Sequence, residues 1–185
     1  MTPQEQRATS EVERIRDQFR RAFEGEAWHG PSVVQLLDGV TAQQAAAHPI
    51  PGAHSIWELT LHIAAWERAC RRRLEGDPAR LSDLEDWRPI NDTSEAAWES
   101  TKQHLLENHR ELLNAIAKVD ESRLNEPIIK DPNTPFSSVY VTLHGMDGNK
   151  TRFAEPESQV ASKFFSLARS YLRGQFQLSS GCEAE

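Results

Sequence analysis

A chain of 185 residues with 21 lysines and arginines against 28 aspartates and glutamates carries a net charge of −7, an excess that repels a phosphate backbone and argues against nucleic acid as a partner. Its 38% hydrophobic content suffices for one ordinary core, so a single domain over 1–185 is expected, and two cysteines, Cys70 and Cys182, are too few for a disulfide framework. No apolar run reaches the roughly 18 residues of a membrane span, and the polar start MTPQEQRATSEVERIR lacks a leader pattern, so a cytoplasmic setting away from membranes is expected.

Taken in order, Ser10 and Glu13 form the first capping-box pattern, and Val12, Ile15, Phe19 and Phe23 recur at helical spacing, predicting a helix over about 11–23. Pro31 then opens a short helix that ends at Asp38, before Gly39. The stretch AAAHPIPGAH, with two prolines and a glycine, reads as a loop. Ser55 with Glu58 starts the next helix, which runs to about Glu75 with Leu59, Ile63, Trp66, Cys70 and Leu74 on one face. Its Arg71-Arg72-Arg73 run sits where cations offset the helix dipole.

The longest helix is predicted from Ser94 to Val119, announced by Asp92 with Glu95 as a capping box. Trp98, Leu105, His109, Leu112, Ile116 and Val119 form its packing seam. After a loop, EPIIKDPNTP, Pro135 opens a further helix with Phe136, Val139, Tyr140 and Leu143 turned inward. Little reads as strand. The fold class is therefore all-α, a bundle whose long helices pack roughly antiparallel to the first and hold ligand sites between facing helices.

The blocks WHGPSVVQLL, HPIPGAHSIWELTLHIAAWERACRRRLEGD, DTSEAAWESTKQHLLENHRELL and SSVYVTLHGM together resemble the DinB/YfiT-like superfamily over about residues 10–146. The resemblance implies a four-helix bundle and a divalent metal, Zn or Ni, held by three histidines. One of these would be His62; the other two would stand four residues apart further along the last helix, in a pattern like H-x-x-Y-H-x-G-Q. Some members resemble transferases that act on low-molecular-weight thiols, where the metal would favour the thiolate. Here the chain reads LHGMDGNKTRFAEPESQ and carries no histidine after Met146, so the resemblance ends there and a divergent tail, helical from about residue 156, is expected. Two of the implied ligands are absent.

His62 is thus the first metal candidate, weighed against an ordinary helix-face imidazole; His144 and His29 are the candidates for additional ligands. Glu58 reads as a capping carboxylate or as an orienting partner of His62, with the cap favoured. His109 reads as a buried structural histidine, Cys70 as a small buried hydrophobe, and His48, His54 and His104 as solvated. The tryptophans suit either core packing or an aromatic wall for an apolar ligand. Two functions stay open: a metal-dependent thiol transferase with weak, substoichiometric metal and little activity, or a non-catalytic bundle that binds an apolar ligand or a partner chain. A further alternative is a stress-associated scaffold or homodimer whose exposed helix face pairs with itself.

Overall fold

The computed structural model describes residues 9–25, 31–49 and 52–146. Among them are seven α-helices: α1 (Glu11–Glu24), α2 (Val33–Leu37), α3 (Ala42–Ala46), α4 (Ile56–Leu74), α5 (Asp83–Asp86), α6 (Glu95–Ile116) and α7 (Val139–Met146). A 3-10 turn spans Glu121–Arg123, and the one extended pairing is an isolated antiparallel bridge between Pro127 and Ser138. The all-α expectation holds. No described helix is long and apolar enough to cross a membrane. The expected tail after Met146 lies outside the described residues.

Helix starts are set by reciprocal caps in which a hydroxyl accepts from the third residue's N–H and that residue's side chain accepts from the cap N–H. Ser10 with Glu13 and Ser55 with Glu58 do this as expected, and so do three pairs the sequence reading passed over: Ser32 with Gln35, Thr41 with Gln44, and Ser82 with Glu85. Three expected starts move. Helix α2 begins at Val33 behind the Ser32 cap, leaving Pro31 outside it, and ends at Leu37. Helix α6 is capped by Ser94; Asp92 accepts from the Ser94 N–H, and Glu95 accepts from the distant Ala42 N–H at 3.0 Å. Helix α7 starts at Val139, four residues after Pro135, because residues 126–128 first pair with 137–139: the Ile128 N–H donates to Ser137 and the Val139 N–H to Glu126. Ala45 and Ala46, assigned above to a loop, end α3. At the end of α4 Gly76 takes φ +95, the left-handed conformation that lets the chain leave the helix.

Helices α4 and α6 form the spine, and they run parallel. Trp57 Nε1–H donates to Thr101 Oγ1 at 3.0 Å, Asn108 Nδ2 donates to the Ala64 carbonyl at 3.4 Å, Glu67 meets His109 and Arg71 meets Glu111, so partners climb both helices together. Helix α1 runs the other way: its first residue donates to Glu121 just beyond α6, and Phe23 near its end stacks on His109. Residues 75–94 join the two parallel helices by returning along α4, as Arg73 Nε–H donates to the Ala79 carbonyl and Trp66 Nε1–H to Asp86. Residues 40–42 are pinned to the first turn of α6 by Trp98 Nε1–H, which donates to the Val40 carbonyl at 2.7 Å, and by Glu95.

Two apolar clusters result. One gathers Phe23, Leu36, Leu37, Val40, Trp57, Leu59, Trp98 and Leu105; the other gathers Ile15, Phe19, Cys70, Leu112, Ile116, Ile128, Val139 and Leu143. The α4 stripe is rotated from its expected register: Trp57, Thr60, His62 and Glu67 are buried, whereas Ile63, Trp66 and Leu74 are half-buried. Tyr140, expected inward, is exposed.

Ser55 is buried and caps the helix that carries most of the site. Ser55→Ala should lower stability by about 1 kcal/mol, the usual worth of such a cap. Urea unfolding reads this directly, and an unchanged midpoint would show that α4 starts independently of the cap.

Candidate functional site

His62 occupies the middle of α4, only 6% exposed. Three side chains surround it. Asp86 Oδ1, carried by α5, lies 2.7 Å from His62 Nδ1 and also accepts from Trp66 Nε1 at 2.6 Å. Trp87 stacks on the imidazole at 4.3 Å, and Trp66 tilts against it at 6.3 Å. The Asp86–His62 contact is at ion-pair distance but off the line of a good hydrogen bond. Burial holds the His62 pKa below the usual histidine value, with Asp86 pulling the other way. A neutral ring with a carboxylate beside Nδ1 favours its proton there and keeps the lone pair on Nε2.

A second set adjoins the first through Trp87, whose other neighbour is His54, stacked at 3.6 Å. His54 Nδ1 lies 3.3 Å and His48 Nε2 3.1 Å from the same oxygen, Glu58 Oε2, which also accepts from the Ser55 N–H at 2.8 Å. Despite burial, the cap and the two imidazoles leave the Glu58 carboxyl below its ordinary pKa. Glu58 is therefore a capping residue, as preferred above, and its histidine neighbours are His48 and His54. Both are exposed as expected, yet neither is idle: they tie the segment before α4 to its first turn. His104 is exposed on α6.

The metal candidates fare differently. His62 is buried and oriented. His144 stacks on Tyr140 at 4.0 Å, with its Nδ1 3.2 Å from the Tyr140 carbonyl one turn back. His29 lies outside the described residues. Among the described residues no group of three or more histidine, cysteine, aspartate or glutamate side chains is gathered so as to hold a metal ion. Tight protein sites for such ions use three or four donors, so these residues do not amount to the three-histidine set that the resemblance implies.

The pair missed in the sequence reading lies deeper. Glu67 Oε1 is 2.7 Å from His109 Nδ1, with both side chains almost wholly buried. His109 was expected as a buried structural residue; its carboxylate was not foreseen. The signal existed, since Glu67 falls four residues after Ile63 and three before Cys70, a charged residue on an apolar stripe. Cys70, one turn on, is fully buried, and burial pushes its thiol up to about 12.

Two measurements check this geometry. In a Cys182→Ser background, Cys70 should resist a thiol reagent at neutral pH until the chain is unfolded; rapid native labelling would contradict its burial. Trp87→Ala should uncover one face of His62 and raise its acylation rate by diethyl pyrocarbonate several-fold, followed by peptide mapping. An unchanged rate would mean that Trp87 does not shield the ring.

The arrangement so built is a helical bundle with a buried, carboxylate-oriented histidine on a helix reading SIWELTLHIAAWERAC. No curated protein and no solved structure matches the chain. The family model described as the DinB superfamily matches residues 27–145, which include α2 to α6 and most of α7. The chain belongs to the DinB superfamily.

Proposed function

We propose that this DinB protein binds a small molecule beside His62, with a divalent-ion-assisted transfer involving a low-molecular-weight thiol as its family-level role. The observation that supports this is the Asp86 carboxylate 2.7 Å from His62 Nδ1. Metal-ligating histidines are characteristically oriented by a carboxylate on the ring nitrogen away from the ion. Asp86 is itself held by Trp66, and Trp87 covers one ring face, so the imidazole is positioned by three side chains. Nε2 is then the atom left for a ligand.

One oriented donor among the described residues supports weak binding of Zn2+ or Ni2+, with His144 and His29 as the proposed additional donors. No chemical step is assigned to an ion on this donor set. What the chain's own residues do is narrower: Asp86 places negative charge beside Nδ1, Trp66 holds Asp86, and Trp87 covers one side of the ring.

A second reading, a non-catalytic bundle holding a small apolar ligand, is favoured by the aromatic column His54–Trp87–His62 with Trp66 beside it. Elemental analysis after dialysis, with Zn2+ titration of the native chain and of His62→Ala, separates the two. Under the first reading the native chain retains well under one ion, binds added Zn2+ weakly, and loses that binding in His62→Ala. Binding unaffected by His62→Ala favours the second reading. One tightly held ion per chain, lost in the variant, would overturn the expectation of weak binding and show a complete site.

A further inference from the structure

The Glu67–His109 pair sits where the two apolar clusters meet. On α4 it separates Leu59 from Cys70, on α6 it separates Leu105 from Leu112, and on α1 Phe23 and Phe19 fall on opposite sides of the divide. Phe23 closes it over, stacked on the His109 ring at 3.8 Å with planes 7° apart. Glu67 Oε2 and His109 Nε2 are buried without a hydrogen-bond partner among the described residues. Such groups are costly to leave unpaired, so the pair is present at a standing cost to the fold.

We propose that Glu67 and His109 form a one-proton latch that seats α1 on the α4–α6 spine. With one proton between the two groups, the pair is neutral overall, whether as carboxylate with imidazolium or as carboxylic acid with imidazole. Loss of that proton leaves net charge −1 in the core; gain of a second leaves +1. Either charge is relieved by admitting water, and Phe23, stacked on the His109 ring, is the α1 side chain that would have to give way. Helices α4 and α6 are joined on both sides of the pair by Trp57–Thr101, Asn108–Ala64 and Arg71–Glu111. Helix α1 meets this point with Phe23, by ring stacking and with no hydrogen bond or ion pair to Glu67 or His109 among the described residues.

Among the described residues, the charged and polar groups around the pair have contacts of their own. On α4, Cys70 is a neutral thiol, and Arg71 is engaged by Glu75 and Glu111. Arg73 points its guanidinium to the Ala79 carbonyl, Trp66 and Phe136. On α6, Asn108 is bonded to Ala64 and Glu111 faces Arg71. On α1, Asp17 is held by Arg21 and Arg20 at the surface, and the residues facing the core are Val12, Ile15, Phe19 and Phe23. On α7, Val139 and Leu143 are apolar.

Burial raises the Glu67 pKa, against the hydrogen bond and charge of His109. Taken without its partner, a carboxyl whose folded pKa exceeds its unfolded value contributes stability that is present below the unfolded value and lost as pH rises through the folded value. Alkaline pH should therefore release α1 first.

The test is amide hydrogen exchange on the full chain at about pH 6 and about pH 9, corrected for intrinsic rates, on native protein, Glu67→Gln and the volume-conserving pair Glu67→Met with His109→Leu. The latch predicts that native α1 loses about tenfold or more of its protection at the higher pH, one pKa unit being a factor of ten, while the middle of α4 holds. Glu67→Gln and the double variant should both flatten this pH dependence. A native α1 equally protected at both pH values would overturn the proposal, whatever the variants do. So would the same pH dependence persisting in the double variant, which lacks both groups and so stays informative should Glu67→Gln fail to fold.

Discussion

Two long helices lying side by side in the same direction impose one requirement on everything between them: the chain must travel back the full length of the first before it can begin the second. Helix α4 covers 19 residues, about 28 Å at the usual rise. Residues 75–94 make that return, and they make it along α4 itself. The candidate site follows from this path. The returning segment lays Asp86 and Trp87 over His62, and Asp86 also accepts from Trp66. The same path brings the start of α6 beside residues 40–42, where Glu95 and Trp98 take up the Ala42 N–H and the Val40 carbonyl.

Two histidine–carboxylate pairs therefore stand on one helix, with the same 2.7 Å separation and opposite settings. His62 draws its carboxylate from the crossover, near solvent, with Asp86 also bonded to an indole. His109 faces a carboxylate from α4 in the core, with apolar clusters on both sides. The first arrangement sets the carboxylate beside Nδ1 and leaves Nε2 as the other ring nitrogen of a buried imidazole. The second leaves two polar atoms, Glu67 Oε2 and His109 Nε2, buried without a hydrogen-bond partner among the described residues, a setting in which a change of charge is costly.

What the sequence disclosed divides by distance along the chain. Helix α1, α4 and α6 were legible because periodicity and capping are local: Ser10 with Glu13 and Ser55 with Glu58 are three residues apart. The short helices α3 and α5 carry equally good caps but no long apolar stripe, so the caps alone did not stand out. The α7 start was misread because Pro135 offers a helix opening that the pairing around Pro127 and Ser138 overrides, a tertiary choice. His62 was found from its helix and its resemblance. Its actual partners, 24 and 25 residues further on, follow only from the return path, which no local pattern encodes. Glu67 was visible in principle as a charge on an apolar stripe, but only facing His109 gives it meaning.

The short helix α5 contributes no buried residue, and its Leu84 is 68% exposed. It starts on its own Ser82 cap and ends at Trp87, whose N–H donates to the Asp83 carbonyl, and what it presents to the bundle is a carboxylate, with an indole following. The frame of α1, α4 and α6 is thus built without it. In the language of engineering, the crossover is an overlay: it brings a carboxylate and an indole to His62, while Trp87 and Ile90 of the same segment also pack against the first apolar cluster. The indole that covers the imidazole is thus also a packing group, so a change in what faces His62 is felt by the first apolar cluster through Trp87.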